Sequence, residues 1–134
     1  MIKAVIFDFG GVVIRDTHQE VKDYIADNLG LKRSVVEEII ETTLPLYRTG
    51  SLSTEQYWKR FAQLAGIPFP KDYEHLWRGG YESEDKQNIP LLDLVRRIKK
   101  NGYITPVLSN TILPHADFNR SSHNYDLFKP VILS

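Results

Sequence analysis

The sequence predicts an α/β fold in which a parallel sheet is interrupted, after its first strand, by a helical unit. Ala4-Val5-Ile6-Phe7 is an unbroken apolar run, the pattern of a strand buried on both faces, and it stops at Asp8 and Gly10-Gly11. Tyr103 to Leu108 reads as a second strand and stops at the polar cluster Ser109-Asn110-Thr111. Between the two, residues 15–87 carry apolar positions at helical spacing, separated by capping and glycine signals.

Taken in order, Val21, Tyr24, Ile25 and Leu29 form the apolar face of a first helix, which Gly30 closes. Ser34 and Glu37 have capping-box spacing ahead of a second helix with Val36, Ile39 and Ile40 inward, and Pro45 is expected to bend or end it. Ser53 and Gln56 repeat the spacing before a third helix that buries Tyr57, Phe61 and Leu64 and stops at Gly66, followed by the stiff Pro68 and Pro70. Tyr73, Leu76 and Trp77 mark a short fourth helix before Gly79-Gly80. Four amphipathic helices imply a small bundle, with Tyr57, Trp58 and Trp77 read as core. Leu91, Leu94, Val95 and Ile98 then line a fifth helix whose last turn, Arg96, Arg97, Lys99 and Lys100, is a solvated helix end that complements the dipole. After the strand to Ser109 come an irregular or helical stretch over 112–123 and a third strand at Val131-Ile132-Leu133. Pro106 removes an N–H from a strand that should be central, which implies a bulge or a local break in its pairing.

Ligands of parallel sheets bind beyond the carboxyl ends of the strands, and Asp8 falls at such an end. Gly10 and Gly11 allow close backbone approach and positive φ, leaving amide N–H groups for an anion. An acid that attacks beside amides that hold phosphate suits phosphoryl transfer. A strand-end Asp that only starts a turn would give the same run Ile6-Phe7-Asp8-Phe9-Gly10-Gly11-Val12-Val13, so both readings stand at this point.

Composition removes several alternatives. Seventeen basic and seventeen acidic residues balance to zero net charge, so no basic surface argues for nucleic acid or for a membrane. The absence of cysteine rules out disulfides and thiolate chemistry and is compatible with the cytoplasm. Lys3 and Asp8 interrupt the N-terminal apolar run too early for a signal peptide or spanning helix. His18, His75, His115 and His123 have no i, i+4 pairing, and no phosphate-loop, dinucleotide or serine-elbow motif occurs. Arg48, in the Tyr47-Arg48-Thr49-Gly50 loop, reads as solvated, with contact to a substrate anion as the alternative.

The run Phe7-Asp8-Phe9-Gly10-Gly11-Val12-Val13, with Ser109 at the end of the later strand, resembles the haloacid dehalogenase-like (HAD) hydrolase superfamily, in its branch with a helical cap after the first strand. The resemblance runs along the whole chain. It implies a Rossmann-like sheet with three strands present, an incomplete core at residues 1–14 and 88–134, and a helical cap at 15–87. It further implies that Asp8 is the nucleophile and forms an aspartyl-phosphate. Mg2+ would be held by the Asp8 carboxylate and the Gly10 carbonyl, and Phe9, Gly10, Ser109 and Asn110 would bind a small phosphorylated metabolite.

The family usually carries a second Asp where this chain has Gly10, so the general acid is missing there. Its later lysine and acids would fall after Ser134. Lys129 is not their substitute, since it precedes the third strand. The chain is therefore expected to be a truncated, inactive form of a Mg-dependent phosphatase, which either pairs with a second copy through the open edge of its first strand or needs the missing C-terminal segment to stay soluble. A 2-haloacid dehalogenase-like enzyme, whose halide leaves without a proton, and a non-catalytic binding or regulatory module are the alternatives.

Overall fold

A computed structural model of the chain describes residues 2–82 and 87–134; residues 83–86, the last of the expected insert but one, lie outside this description. The chain divides into two compact units, one of Met1–Asp16 with Ser83–Ser134 and one of Thr17–Glu82. No helix among the described residues is long and apolar enough to cross a membrane.

The Thr17–Glu82 unit holds α1 (His18–Leu29), α2 (Arg33–Arg48), α3 (Thr54–Ala65) and α4 (Tyr73–Gly79). α1 packs on α2 and α4, and α3 on α2 and α4. Gly30 and Gly66 end α1 and α3 in the left-handed conformation. At Ser53 both halves of the capping box form, with the Gln56 N–H donating to the Ser53 hydroxyl (3.2 Å) and the Ser53 N–H to the Gln56 side chain (2.8 Å). The core is aromatic. Tyr47, Tyr57, Trp58, Phe61 and Trp77 are all buried, with Trp58 and Trp77 at 5.5 Å and Tyr57 and Trp77 at 5.2 Å between ring centroids. Such offset and tilted pairs add to area burial.

Three local expectations are corrected here. Ser34 and Glu37 form no capping box, because α2 starts at Arg33 behind an extended Lys32 and the Glu37 carboxylate is taken by Lys22 of α1. Pro45 does not end α2, which continues to Arg48 although Pro45 has no N–H to give the carbonyl one turn upstream. Leu64 is exposed, since the inward stripe of α3 is Tyr57, Trp58, Phe61 and Ala62.

The sheet unit contains α5 (Ile89–Lys100), β1 (Val107–Ser109), α6 (Leu113–Ser121) and β2 (Val131–Leu133). β1 and β2 pair in parallel, Val107 with Val131, Leu108 with Ile132 and Ser109 with Leu133. Two regular strands stand where three were expected. The segment 3–8 still lies along the other side of β1, in a parallel ladder of Ile104 N–H to Lys3 O (3.1 Å), Val5 N–H to Ile104 O, Phe7 N–H to Pro106 O and Leu108 N–H to Phe7 O (2.9 Å each). The missing rung belongs to Pro106, whose nitrogen has no hydrogen to give the Val5 carbonyl, and pairing is reduced to separate bridges at Ala4–Ile104 and Phe7–Val107.

The expectation of a strand covered on both faces is also corrected. Phe7, Thr105, Val107 and Ser109 are buried, whereas Ile2 (73 % exposed), Ile6 (63 %), Ile104, Leu108 and Ile132 are open to solvent. In α5, Leu92 and Val95 are the buried pair and Leu94 is exposed, a rotation of the inward stripe from the one expected.

Candidate active site

The ladder puts two carboxyl ends together. Phe7 pairs with Val107 and its carbonyl accepts from the Leu108 N–H, so Asp8 and Ser109 lie at the ends of neighbouring lines of backbone, Ser109 one residue further along. Asp8 is exposed, and its Oδ1 accepts the Phe9 N–H at 2.6 Å. Ser109 is 6 % exposed and Asn110 is open. The Ser109 carbonyl accepts from Ser134 N–H (3.1 Å), and the Asn110 side chain meets the Ser134 hydroxyl.

Residues 9–14 wind around one atom, the Phe9 carbonyl oxygen, which accepts from the N–H groups of Val12 (3.3 Å), Val13 (2.9 Å) and Ile14 (3.1 Å). Positive φ is confined to Gly11 (74°), so Gly10, expected to share it, does not. A Cβ at Gly10 would have no atom within 4 Å. Glycine at position 10 is therefore not demanded by space or by left-handed backbone. Phe9 turns its ring inward, 2 % exposed, against Tyr125 (4.5 Å between centroids) and Phe128 (6.4 Å), so its contribution to any ligand is limited to backbone. Burial pushes the pKa of the Tyr125 phenol up, and a neutral ring supports the turn from below.

Sequence reasoning missed Gln87 and Asn88. Ile14 bridges Gln87 in antiparallel fashion, and the Asn88 N–H donates to the Val13 carbonyl at 2.9 Å. The signal for Asn88 was present in Asn88-Ile89-Pro90, a helix start with proline in the first turn. Arg48, His18 and His75 lie in the Thr17–Glu82 unit, apart in the chain's division from the residues just described.

Among the described residues no group of three or more His, Cys, Asp or Glu side chains could hold a metal ion. The donors at hand are one exposed carboxylate and main-chain carbonyls, all hard oxygens. That set suits a cation such as Mg2+, which keeps several waters and takes one or two carboxylates together with substrate phosphate.

No protein-family model matches the chain, and no curated protein matches it. Solved structures do. A HAD family enzyme from Bacteroides thetaiotaomicron in a magnesium complex superposes with a TM-score of 0.74 at 18% identity, over 99% of this chain and 68% of that one. The same enzyme in complex with magnesium and inorganic phosphate gives 0.73 at 18% identity, over 100% of this chain and 69% of that one. A predicted HAD-like family hydrolase from Porphyromonas gingivalis gives 0.69 at 18% identity, over 98% and 66%. At this identity the likeness is one of fold, and the fold of this chain is that of the HAD-family enzymes.

Proposed function

We propose that the chain belongs to a magnesium-dependent phosphohydrolase that acts on a small phosphorylated metabolite in the cytoplasm, with Asp8 as nucleophile. The observation that carries this reading is the parallel ladder that ends in Asp8 and the Gly10-Gly11 turn on one line and in Ser109-Asn110 on the next. The Bacteroides enzyme of like fold, crystallised with magnesium and inorganic phosphate, supports the choice of phosphoryl chemistry.

In this reading an Asp8 carboxylate oxygen attacks phosphorus, the bond to the leaving oxygen breaks, and an aspartyl-phosphate results. Water then attacks that phosphorus, releasing inorganic phosphate and restoring the carboxylate. Ser109 and the backbone at Phe9, Gly10 and Asn110 orient the phosphoryl oxygens. The Asp8 carboxylate and the Gly10 carbonyl would hold Mg2+, which would supply positive charge against the phosphate that otherwise repels the incoming carboxylate. Gly10 offers no proton, so the leaving oxygen takes one from water, and substrates with good leaving groups are favoured. That same gap favours one rival, a dehalogenase, because halide needs no proton; hydrolysis that does not depend on metal would select it.

The test is hydrolysis of an aryl phosphate with and without added magnesium, in the intact protein that carries this chain and in its Asp8→Asn variant. Loss of turnover in a variant that melts like the parent is the expected result; full turnover in Asp8→Asn would remove Asp8 from the mechanism. Ser109→Ala should cost roughly 1.5–3 kcal/mol of transition-state binding, the range for one hydrogen bond to a charged group. The open outer edge of residues 2–7 is proposed to pair with a second copy of the chain.

A further inference from the structure

We propose that Asn88 is a positioning residue for the glycine turn of the active site. Three bonds meet on it. Its backbone N–H donates to the Val13 carbonyl at 2.9 Å, its side-chain Nδ2 donates to the Val12 carbonyl at 3.1 Å, and its Oδ1 accepts the Leu91 N–H at 3.3 Å as the N-cap of α5. Both carbonyls that follow Gly10-Gly11 are thus held by one residue, and that residue is fixed to the start of a helix. The orientation of the amide follows from its partners, since a carbonyl needs the N–H end and the Leu91 N–H needs the oxygen.

A second tie runs beside the first. Gln87, bridged to Ile14, donates through Nε2 to Asn124 Oδ1 at 2.9 Å, and Asn124 Nδ2 donates to Oδ1 of the fully buried Asn119 at 2.9 Å. The return of the chain at 87–88 therefore clamps the turn 9–14 from outside, while the Phe9 carbonyl gathers it from inside. Asn88 is exposed, so each bond adds little to global stability. What the clamp fixes is the path of the backbone at Gly10 and Gly11, where effects on a bound phosphoryl group are large for small displacements.

This inference rests on the reading of Asp8 and the glycine turn as a phosphoryl site, and one variant separates its parts. Asn88→Asp keeps an oxygen for the Leu91 N–H and suits a helix N-terminus, so α5 stays capped and the melting temperature stays at the parent value. It loses the donor to Val12 and sets a carboxylate against that carbonyl. Amide hydrogen exchange at Val12, Val13 and Ile14 in the full chain should then rise by about two- to tenfold, the range one hydrogen bond supports. Magnesium-dependent aryl phosphate hydrolysis by the intact protein should fall by a similar factor in kcat/KM. Asn88→Ala, which loses the cap as well, should lower the melting temperature in addition. Parental exchange rates in Asn88→Asp overturn the clamp. Raised exchange with unchanged kcat/KM overturns its positioning role. An intact parent protein without any turnover fails the phosphohydrolase reading instead, and the exchange measurement still decides whether the clamp exists.

Discussion

In residues 17–82 the aromatic side chains of the helices pack into a closed core, with Leu46, Leu64 and Phe69 outside it; in the sheet unit several aliphatic side chains of the strands stand in water and the backbone near Asp8 has room around it. Trp58, Tyr57 and Phe61 have no exposed surface, whereas Ile2, Ile6, Ile104, Leu108 and Ile132 share an uncovered sheet face. The glycines follow the same division. A Cβ at Gly80 would lie 2.4 Å from the Glu20 carbonyl oxygen, and one at Gly79 2.0 Å from the Tyr24 ring, because α4 meets α1 there without space for a side chain. At Gly10 it would meet nothing within 4 Å. The difference teaches that the helical unit closes its own core and spends its tolerance on packing, while the sheet unit keeps open surface where chemistry and association take place.

The largest effect should come from striking the closed core. Trp58→Ala removes the centre of the aromatic cluster and should cost about 3–5 kcal/mol, read as a loss of cooperative melting in near-ultraviolet circular dichroism. Ile6→Thr, on the open face, should stay within about 0.5 kcal/mol of the parent. Comparable losses from the two would erase the contrast between the units.

The glycines give the next test. Gly80→Ala forces a Cβ against the backbone of Glu20 and should destabilise by about 1–3 kcal/mol. Gly10→Asp meets no obstacle and no left-handed φ, so the fold should hold. Under the proposed function it also restores a proton donor beside the leaving oxygen, worth roughly a hundredfold or more in turnover of esters with poor leaving groups. A misfolded Gly10→Asp would show that the turn is less open than its geometry indicates.

Legibility followed the range of the interactions. Ser53 and Gln56 could be read as a capping box because both partners lie within four residues and nothing else competes for them. Ser34 and Glu37 have the same spacing and fail, since Lys22, fifteen positions away, takes the carboxylate. Asp8 and Ser109 were visible as polar residues ending apolar runs, and Pro106 as a flaw in pairing, because strand ends and prolines write local signals. Asn88 was not visible as a clamp. Its partner Val12 is 76 positions distant, and no local pattern encodes which carbonyl an exposed amide will find. The exposed sheet face was misread for a related reason: an apolar run reports suitability for burial on both sides, not whether anything covers each side.

Association should produce a smaller change, read by light scattering rather than by melting. The outer edge of segment 2–7 has Lys3 as its one charged residue and Ile2 and Ile6 beside it in solvent. Such an edge recruits another chain unless it is charged or covered. Ile6→Lys should shift the chain toward monomer at concentrations where the parent is dimeric. A parent that is monomeric throughout would remove the edge-pairing proposal and leave the sheet face simply solvated.

The finest distinction between the units lies in their ion pairs. In the sheet unit Arg96 pairs with Asp93, Arg120 with Asp117 and His123 with Asp126, each three residues apart in sequence. In the helical unit Lys22 of α1 reaches Glu37 of α2 and so ties two helices together. The hydrogen bond and charge of Lys22, with help from Arg33, hold the Glu37 carboxyl below its ordinary pKa. A lowered folded-state pKa means that the pair stabilises above the ordinary carboxylate value, about 4.3, and that this contribution is lost as pH falls through the lower folded value. Acid should therefore loosen α1 from α2 through Glu37, and Glu37→Gln should flatten that part of the melting profile below about pH 4.3 while lowering stability slightly at neutral pH. High salt should act in the same direction as the substitution, since the carboxylate is partly in solvent. An acid limb identical in parent and Glu37→Gln would mean that the tie between the helices is apolar packing alone, and the units would then differ in their cores but not in how they use charge.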